Sequence, residues 1–129
     1  MRTTLRSLVI MVRIPVCAFA AAAGCLSLYA TSTGASIVEY FLLAASISMA
    51  TGSGFLINDY FDVEKDFINK PYRPLPSRKI RRETVRRTSL VLFTLAVICA
   101  APLGLRPFVL VVINVGVLAV TLWYCAVAA

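Results

Sequence analysis

The chain has 129 residues, 60% of them hydrophobic and only 15% charged, with a mean hydropathy of +0.85. A soluble domain keeps about a quarter of its residues charged, and no water-soluble core of this chain length hides so much apolar surface, so the composition points to lipid as the solvent. The net charge of +7 comes from basic stripes beside apolar runs, a pattern of membrane topology rather than of nucleic-acid binding, and the absence of His excludes His-ligated metals, haem and His-based acid–base chemistry.

The chain begins with Arg2, Arg6 and Arg13 beside an apolar run. This resembles a signal peptide, but further spans follow, so the run is read as a retained helix. Four apolar segments are expected to cross the membrane, over about 14–30, 37–57, 90–105 and 108–127. Each is close to the ~20 residues a helix needs to span the hydrocarbon layer. Backbone polar groups inside lipid must be satisfied within the segment, which uninterrupted apolar runs achieve only as helices. The expected fold class is therefore an all-α membrane protein of about four transmembrane helices, in a single membrane domain over 1–129.

The Thr31–Ser36 link is uncharged. The stretch 58–87 holds nine of the thirteen basic residues and five of the six acidic ones. Cytoplasmic loops carry excess Lys and Arg, so both termini and the 58–87 loop are expected in the cytoplasm. Cys17, Cys25, Cys99 and Cys125 sit inside apolar runs without metal-ligand spacing and read as small apolar residues. Gly52-Ser53-Gly54 reads as a site of close helix packing, and Asn114 as an interhelical hydrogen-bonding group in the fourth span. Arg13 is expected to snorkel to the interface, the alternative being that it faces the diphosphate, and Glu39 has no evident partner. After Trp123 the chain stops without a polar exit, the pattern of a sequence cut within a longer protein.

One stretch carries chemistry. At about 100° per residue, Asn58, Asp59, Asp62 and Asp66 fall within an arc of about 100° on one helix face. Like charges at these spacings repel, and more strongly where the dielectric falls at a membrane surface. A hard divalent cation removes the conflict. Mg²⁺ takes oxygen ligands and typically bridges one or two carboxylates to substrate phosphates. Directly after this face comes Lys70-Pro71-Tyr72-Arg73-Pro74-Leu75-Pro76-Ser77-Arg78-Lys79. Its prolines fix the backbone and exclude a regular helix. Arg73 and Lys79 suit an anionic ligand, Arg offering a bidentate fork. Together, acidic face and stiff basic loop make a metal-plus-cation clamp for diphosphate. The plainer alternatives are a solvated acidic face and a loop that serves topology or lipid headgroups.

The string Asn58-Asp59-x-x-Asp62-x-x-x-Asp66, followed by Ile68-Asn69-x-Pro71-x-Arg73-Pro74-x-Pro76-Ser77, resembles the first aspartate-rich motif of the UbiA-type intramembrane prenyltransferases. The likeness is dense over Asn58–Ile80; elsewhere it lies in hydropathy and in Arg13 with Pro15. It implies that the chain is like the N-terminal part of a bundle of about nine spanning helices. It also implies that Asp59, Asp62 and Asp66 are catalytic and hold Mg²⁺, with Asn58 and Arg73 on the diphosphate, to which the basic loop adds Lys79. The implied activity is prenyl transfer from a polyprenyl diphosphate. The acceptor stays open among an aromatic quinone precursor, a chlorophyllide-like ring and a glycerol phosphate lipid. Arg78 departs from the glycine that many members have after Pro-Ser, and the family's second aspartate-rich motif has no counterpart in this chain. The alternative reading is a non-catalytic membrane fragment or interaction protein that keeps the first motif.

Overall fold

The structure, a computed structural model, describes residues 2–32 and 34–104. The fourth expected span and Asn114 lie outside the described residues. Five α-helices follow one another: α1 (Arg2–Val12), α2 (Ile14–Thr31), α3 (Ile37–Phe61), α4 (Val63–Asn69) and α5 (Arg82–Ala100). A 3-10 turn over Ala101–Leu103 extends α5. No strand occurs among the described residues, as the composition requires.

The helix ends follow from local chemistry. Arg13 takes a left-handed backbone (φ 56°, ψ 57°) that breaks α1 from α2. Pro15 falls in the first turn of α2, where its missing N–H costs nothing. The two helices meet at a bend of 44°. α3 opens on a capping box: Ser36 Oγ accepts from the Glu39 N–H at 3.3 Å, and Glu39 Oε2 accepts from the Ser36 N–H at 2.7 Å. That is the partner of Glu39 that hydropathy did not supply. The 25 residues of α3, at about 1.5 Å each, reach about 38 Å, longer than the ~30 Å hydrocarbon layer, so the helix tilts or one end projects from it.

α5 starts within the basic stretch, ahead of the expected span boundary at 90. Glu83 in its first turn accepts from Arg86 Nη2 at 2.9 Å and from Arg87 Nε at 3.0 Å, which holds charged residues in helix. Pro102 and Gly104, whose φ is 90°, close it. The expected loop 58–87 therefore shrinks to 70–81. α3 runs on to Phe61, α4 covers Val63–Asn69, and α5 claims the C-terminal basic residues.

By length and composition α3 and Arg82–Leu103 can each cross a membrane, and the bent α1–α2 pair makes a third if it is one span. α3 lies at the centre, packed against α1, α2 and α5. Its seam with α5 is polar and satisfied. Ser46 Oγ donates to the Ala96 carbonyl at 2.9 Å, Ser53 Oγ to the Ser89 carbonyl at 2.9 Å, and Ser89 Oγ to the Ser53 carbonyl at 3.0 Å. Small residues with such bonds let helix backbones approach in lipid. Gly52 and Gly24 do the same elsewhere: a Cβ on Gly52 would stand 2.9 Å from Val12 Cγ1, and one on Gly24 would run into Ile47 Cδ1. Met11, Leu56, Leu75, Ile80 and Val85 form the buried apolar cluster. It draws on α1, α3, α5 and the 70–81 loop, so the densest packing stands beneath the acidic motif. Phe19, Leu26, Ile37 and Phe41 point outward, as lipid-facing or helix-facing side chains do.

Candidate active site at the end of α3

Asn58 and Asp59 occupy the last turn of α3, Asp62 is the junction residue, and Asp66 lies in α4. The junction is shallow. Asp62 keeps φ −83° and ψ 4°, the Asp62 N–H donates to the Asn58 carbonyl at 2.9 Å, and the Asp66 N–H donates to the Asp62 carbonyl at 2.8 Å. Helical bonding thus bridges the break, and Asp59 and Asp66 stay on one side of the chain as the periodicity predicts. Both are buried, each only 7% exposed.

The loop behind them is built from the residues that exclude helix. The Lys70 N–H donates to the Asp66 carbonyl at 2.8 Å and ends α4. Successive turns then bond Arg73 N–H to the Lys70 carbonyl (3.1 Å), Ser77 N–H to the Arg73 carbonyl (3.0 Å) and Lys79 N–H to the Pro74 carbonyl (3.0 Å). Leu75 and Ile80 anchor it in the apolar cluster. Arg78 sits at φ 57°, the left-handed region where glycine is free of strain. Arg78 therefore carries a backbone cost that glycine at this position would not.

So held, the loop delivers Arg73 to the acidic face. Its Nη1 donates to Asp66 Oδ2 at 2.5 Å and to Asp59 Oδ1 at 3.2 Å. Two buried carboxylates and one guanidinium thus converge on a single nitrogen. No hydrogen bond or ion pair among the described residues engages the Asp62 carboxylate, and none engages the Asn58 carboxamide or the Lys79 ammonium. Beside the triad opens a cleft of about 700 Å³, lined by Arg6, Ser7, Ile10, Met11 and Arg13 on one side and by Asp59, Tyr72, Arg73, Pro74 and Lys79 on the other. Lys79 therefore faces the same space as Asp59 and Arg73, whereas Asn58 and Asp62 are not among its lining residues. The Arg13 guanidinium lies over the Phe55 ring at 4.7 Å from its centroid, at the cleft that it lines with Asp59.

Arg6 joins the site through the cleft that it lines with Arg13; the sequence marks it only as one of three arginines beside the first apolar run. The acidic face fits a hard cation by its donor set, because Asp59 and Asp66 aim oxygens at one cationic point. Two carboxylates with water and phosphate completing the shell is an ordinary arrangement for Mg²⁺. No group of three or more acidic, His or Cys side chains is drawn together among the described residues, so Asp62 stands apart from the pair.

Three comparisons bear on this geometry. The model of the UbiA prenyltransferase family matches residues 15–127. The chain is 44% identical over 79 residues to the digeranylgeranylglyceryl phosphate synthase of Sulfolobus acidocaldarius, covering 61% of this chain and 29% of that protein. It is 44% identical over 85 residues to the synthase of the same name from Methanothermobacter thermautotrophicus, covering 66% and 30%. It thus spans under a third of the length of these curated relatives. A solved structure, described by the words "Structural and mechanistic insights into the biosynthesis of Digeranylgeranylglyceryl phosphate synthase in membranes", superposes with a TM-score of 0.85 at 28% identity. That match covers 95% of this chain and 44% of the other.

Proposed function

This chain belongs to the UbiA prenyltransferase family, and we propose that it serves the transfer of a prenyl group from a polyprenyl diphosphate to a glycerol phosphate lipid. The relatives' name describes a glycerol phosphate that carries two geranylgeranyl groups. Geranylgeranyl diphosphate is then the donor, and geranylgeranylglyceryl phosphate the acceptor that receives the second group. The bond from prenyl C1 to the diphosphate oxygen breaks, the free glycerol hydroxyl bonds to C1, and its proton is released.

The observation that carries this reading is the convergence of Asp59 and Asp66 on one cationic point beside a cleft lined with further cations. Asp59 and Asp66 would hold Mg²⁺, which would supply charge neutralisation at the leaving diphosphate. Arg73, Lys79 and the Asn58 carboxamide orient that diphosphate, and donors aimed where charge develops lower the barrier most. The apolar helices take the prenyl chain and exclude water that would quench a carbocation. The motif lies at the end of α3 that projects on the cytoplasmic side, together with the basic loop.

The test uses the full-length gene product in membrane vesicles with labelled geranylgeranyl diphosphate, Mg²⁺ and geranylgeranylglyceryl phosphate. Transfer should require Mg²⁺, and Asp59→Asn should lower it roughly 100-fold or more, in the range of a lost transition-state electrostatic contact. Transfer that survives chelation or Asp59→Asn with Asp66→Asn would refute the mechanism. Transfer to an aromatic acceptor instead would refute the glycerol phosphate assignment alone.

A further inference from the structure

Arg73 meets both buried aspartates through one corner of its guanidinium. Nη1 serves Asp59 and Asp66 alike, and no hydrogen bond among the described residues engages Nη2 or Nε. Arginine that merely locks a carboxylate usually offers its two-nitrogen fork to one partner. Here the fork is unspent, and a single nitrogen stands where two carboxylate oxygens converge. That is the place a cation would take.

Resting on the diphosphate reading above, we propose that Arg73 is a positioning residue that stands in for the metal ion between Asp59 and Asp66, and is displaced from them when metal binds. The buried, like-charged carboxylates need neutralising in every state of the protein, because an uncompensated charge at this depth is costly. A guanidinium supplies one positive charge to the pair. A divalent cation would supply two, so the two cations would compete for Asp59 and Asp66. The loop backbone does not move to allow the exchange. Turn hydrogen bonds and the buried anchors Leu75 and Ile80 fix it, and only the Arg73 side chain needs to rotate. Arg73 is itself among the lining residues of the adjoining cleft, opposite Arg6 and near Lys79. Rotated into that space it presents its free fork to phosphate oxygens, which it suits. One side chain therefore neutralises the acidic pair while no metal is bound, and then follows the charge to the diphosphate.

Competition of this kind has a signature that diphosphate binding alone lacks. If Arg73 occupies the pair, only the fraction of molecules with Arg73 turned away binds metal, and the apparent dissociation constant is raised by that fraction. In the full-length protein in detergent micelles, Arg73→Gln should therefore bind Mn²⁺ alone, followed by electron paramagnetic resonance, roughly tenfold more tightly than the native protein. Geranylgeranyl diphosphate binding in the presence of metal should weaken in the same variant. Equal or weaker Mn²⁺ binding by Arg73→Gln overturns the exchange while leaving the metal reading intact; no Mn²⁺ binding by either protein overturns both. A second measurement avoids reliance on a variant that fails to fold. In the native protein, Mn²⁺ alone should speed modification of Arg73 by phenylglyoxal, read by mass spectrometry against Arg86 as internal reference. Adding inorganic diphosphate should then protect it. Metal that leaves Arg73 reactivity unchanged, or lowers it, overturns the proposal.

Discussion

Arg78 and Arg73 stand five residues apart in one loop and illustrate two ways a residue can be out of its element. Arg78 holds φ 57° with no hydrogen bond or ion pair to its side chain among the described residues. A left-handed backbone costs a non-glycine residue about 1–2 kcal/mol. Glycine would remove that cost and return about 0.5–1 kcal/mol as extra freedom of the unfolded chain. Strain relief wins by a narrow margin, so Arg78→Gly should stabilise the protein by about 0.5–1 kcal/mol. A thermal melt in detergent checks this, and an unchanged or lowered midpoint would show that the Arg78 backbone is not strained. At this scale the sequence was partly legible. Position 78 stood out because it departs from a glycine. The ion pairs of Arg73 did not, since no spacing rule tells whether a cation seven residues after Asp66 faces a ligand or its own carboxylates. Glu39 was legible in principle, because Ser36-x-x-Glu39 has the spacing of a capping box. A reading centred on hydropathy passed it over.

Among the helices, the crossing of α1 and α3 at Gly52 is the contact most exposed to a single methyl group. Alanine there gains about 1 kcal/mol of helix propensity over glycine. Its Cβ, however, would stand 2.9 Å from Val12 Cγ1, and overpacking typically costs about 1–3 kcal/mol. Overpacking decides the sign: Gly52→Ala should destabilise by about 1 kcal/mol, the balance of these two terms. Combined with Val12→Ala it should lose less than the two single changes summed, because the second change removes the atom that the first one strikes. A double-mutant cycle on thermal stability measures that coupling, and strictly additive losses would place the clash elsewhere. The packing role of Gly52-Ser53-Gly54 was readable from residue size alone. Its partners were not: Gly52 receives α1, whereas Ser53 bonds to Ser89 across the other seam. The ends of the loop depart from the hydropathy boundaries for a related reason. Hydropathy marks where a chain enters lipid, while helix continues through Arg82–Leu90 because its charged side chains pair with one another.

For the molecule as a whole, charge decides orientation. Arg6 and Arg13 lie at the end of the structure that carries Arg73 and Lys79, since all four line one cleft. The link over 32–36, at the far end of α2 and of α3, holds no charged residue. The energetic preference for keeping Lys and Arg in the cytoplasm acts on short flanks such as these, and every basic residue up to Arg87 falls on one side of that division. If the bent α1–α2 pair is one span, α2 and α3 form a hairpin, and the charge rule predicts that its turn at Gly34 faces away from the cytoplasm. Single cysteines placed in a background with Cys17, Cys25, Cys99 and Cys125 changed to Ala would read this directly. In sealed right-side-out vesicles, Gly34→Cys should react with a membrane-impermeant maleimide at once. Ser77→Cys should react only after the membrane is opened. Labelling of both positions from the same side would mean that α3 does not cross, because α3 separates Gly34 from the loop. The inverse pattern would turn the cleft outward, and the diphosphate with it.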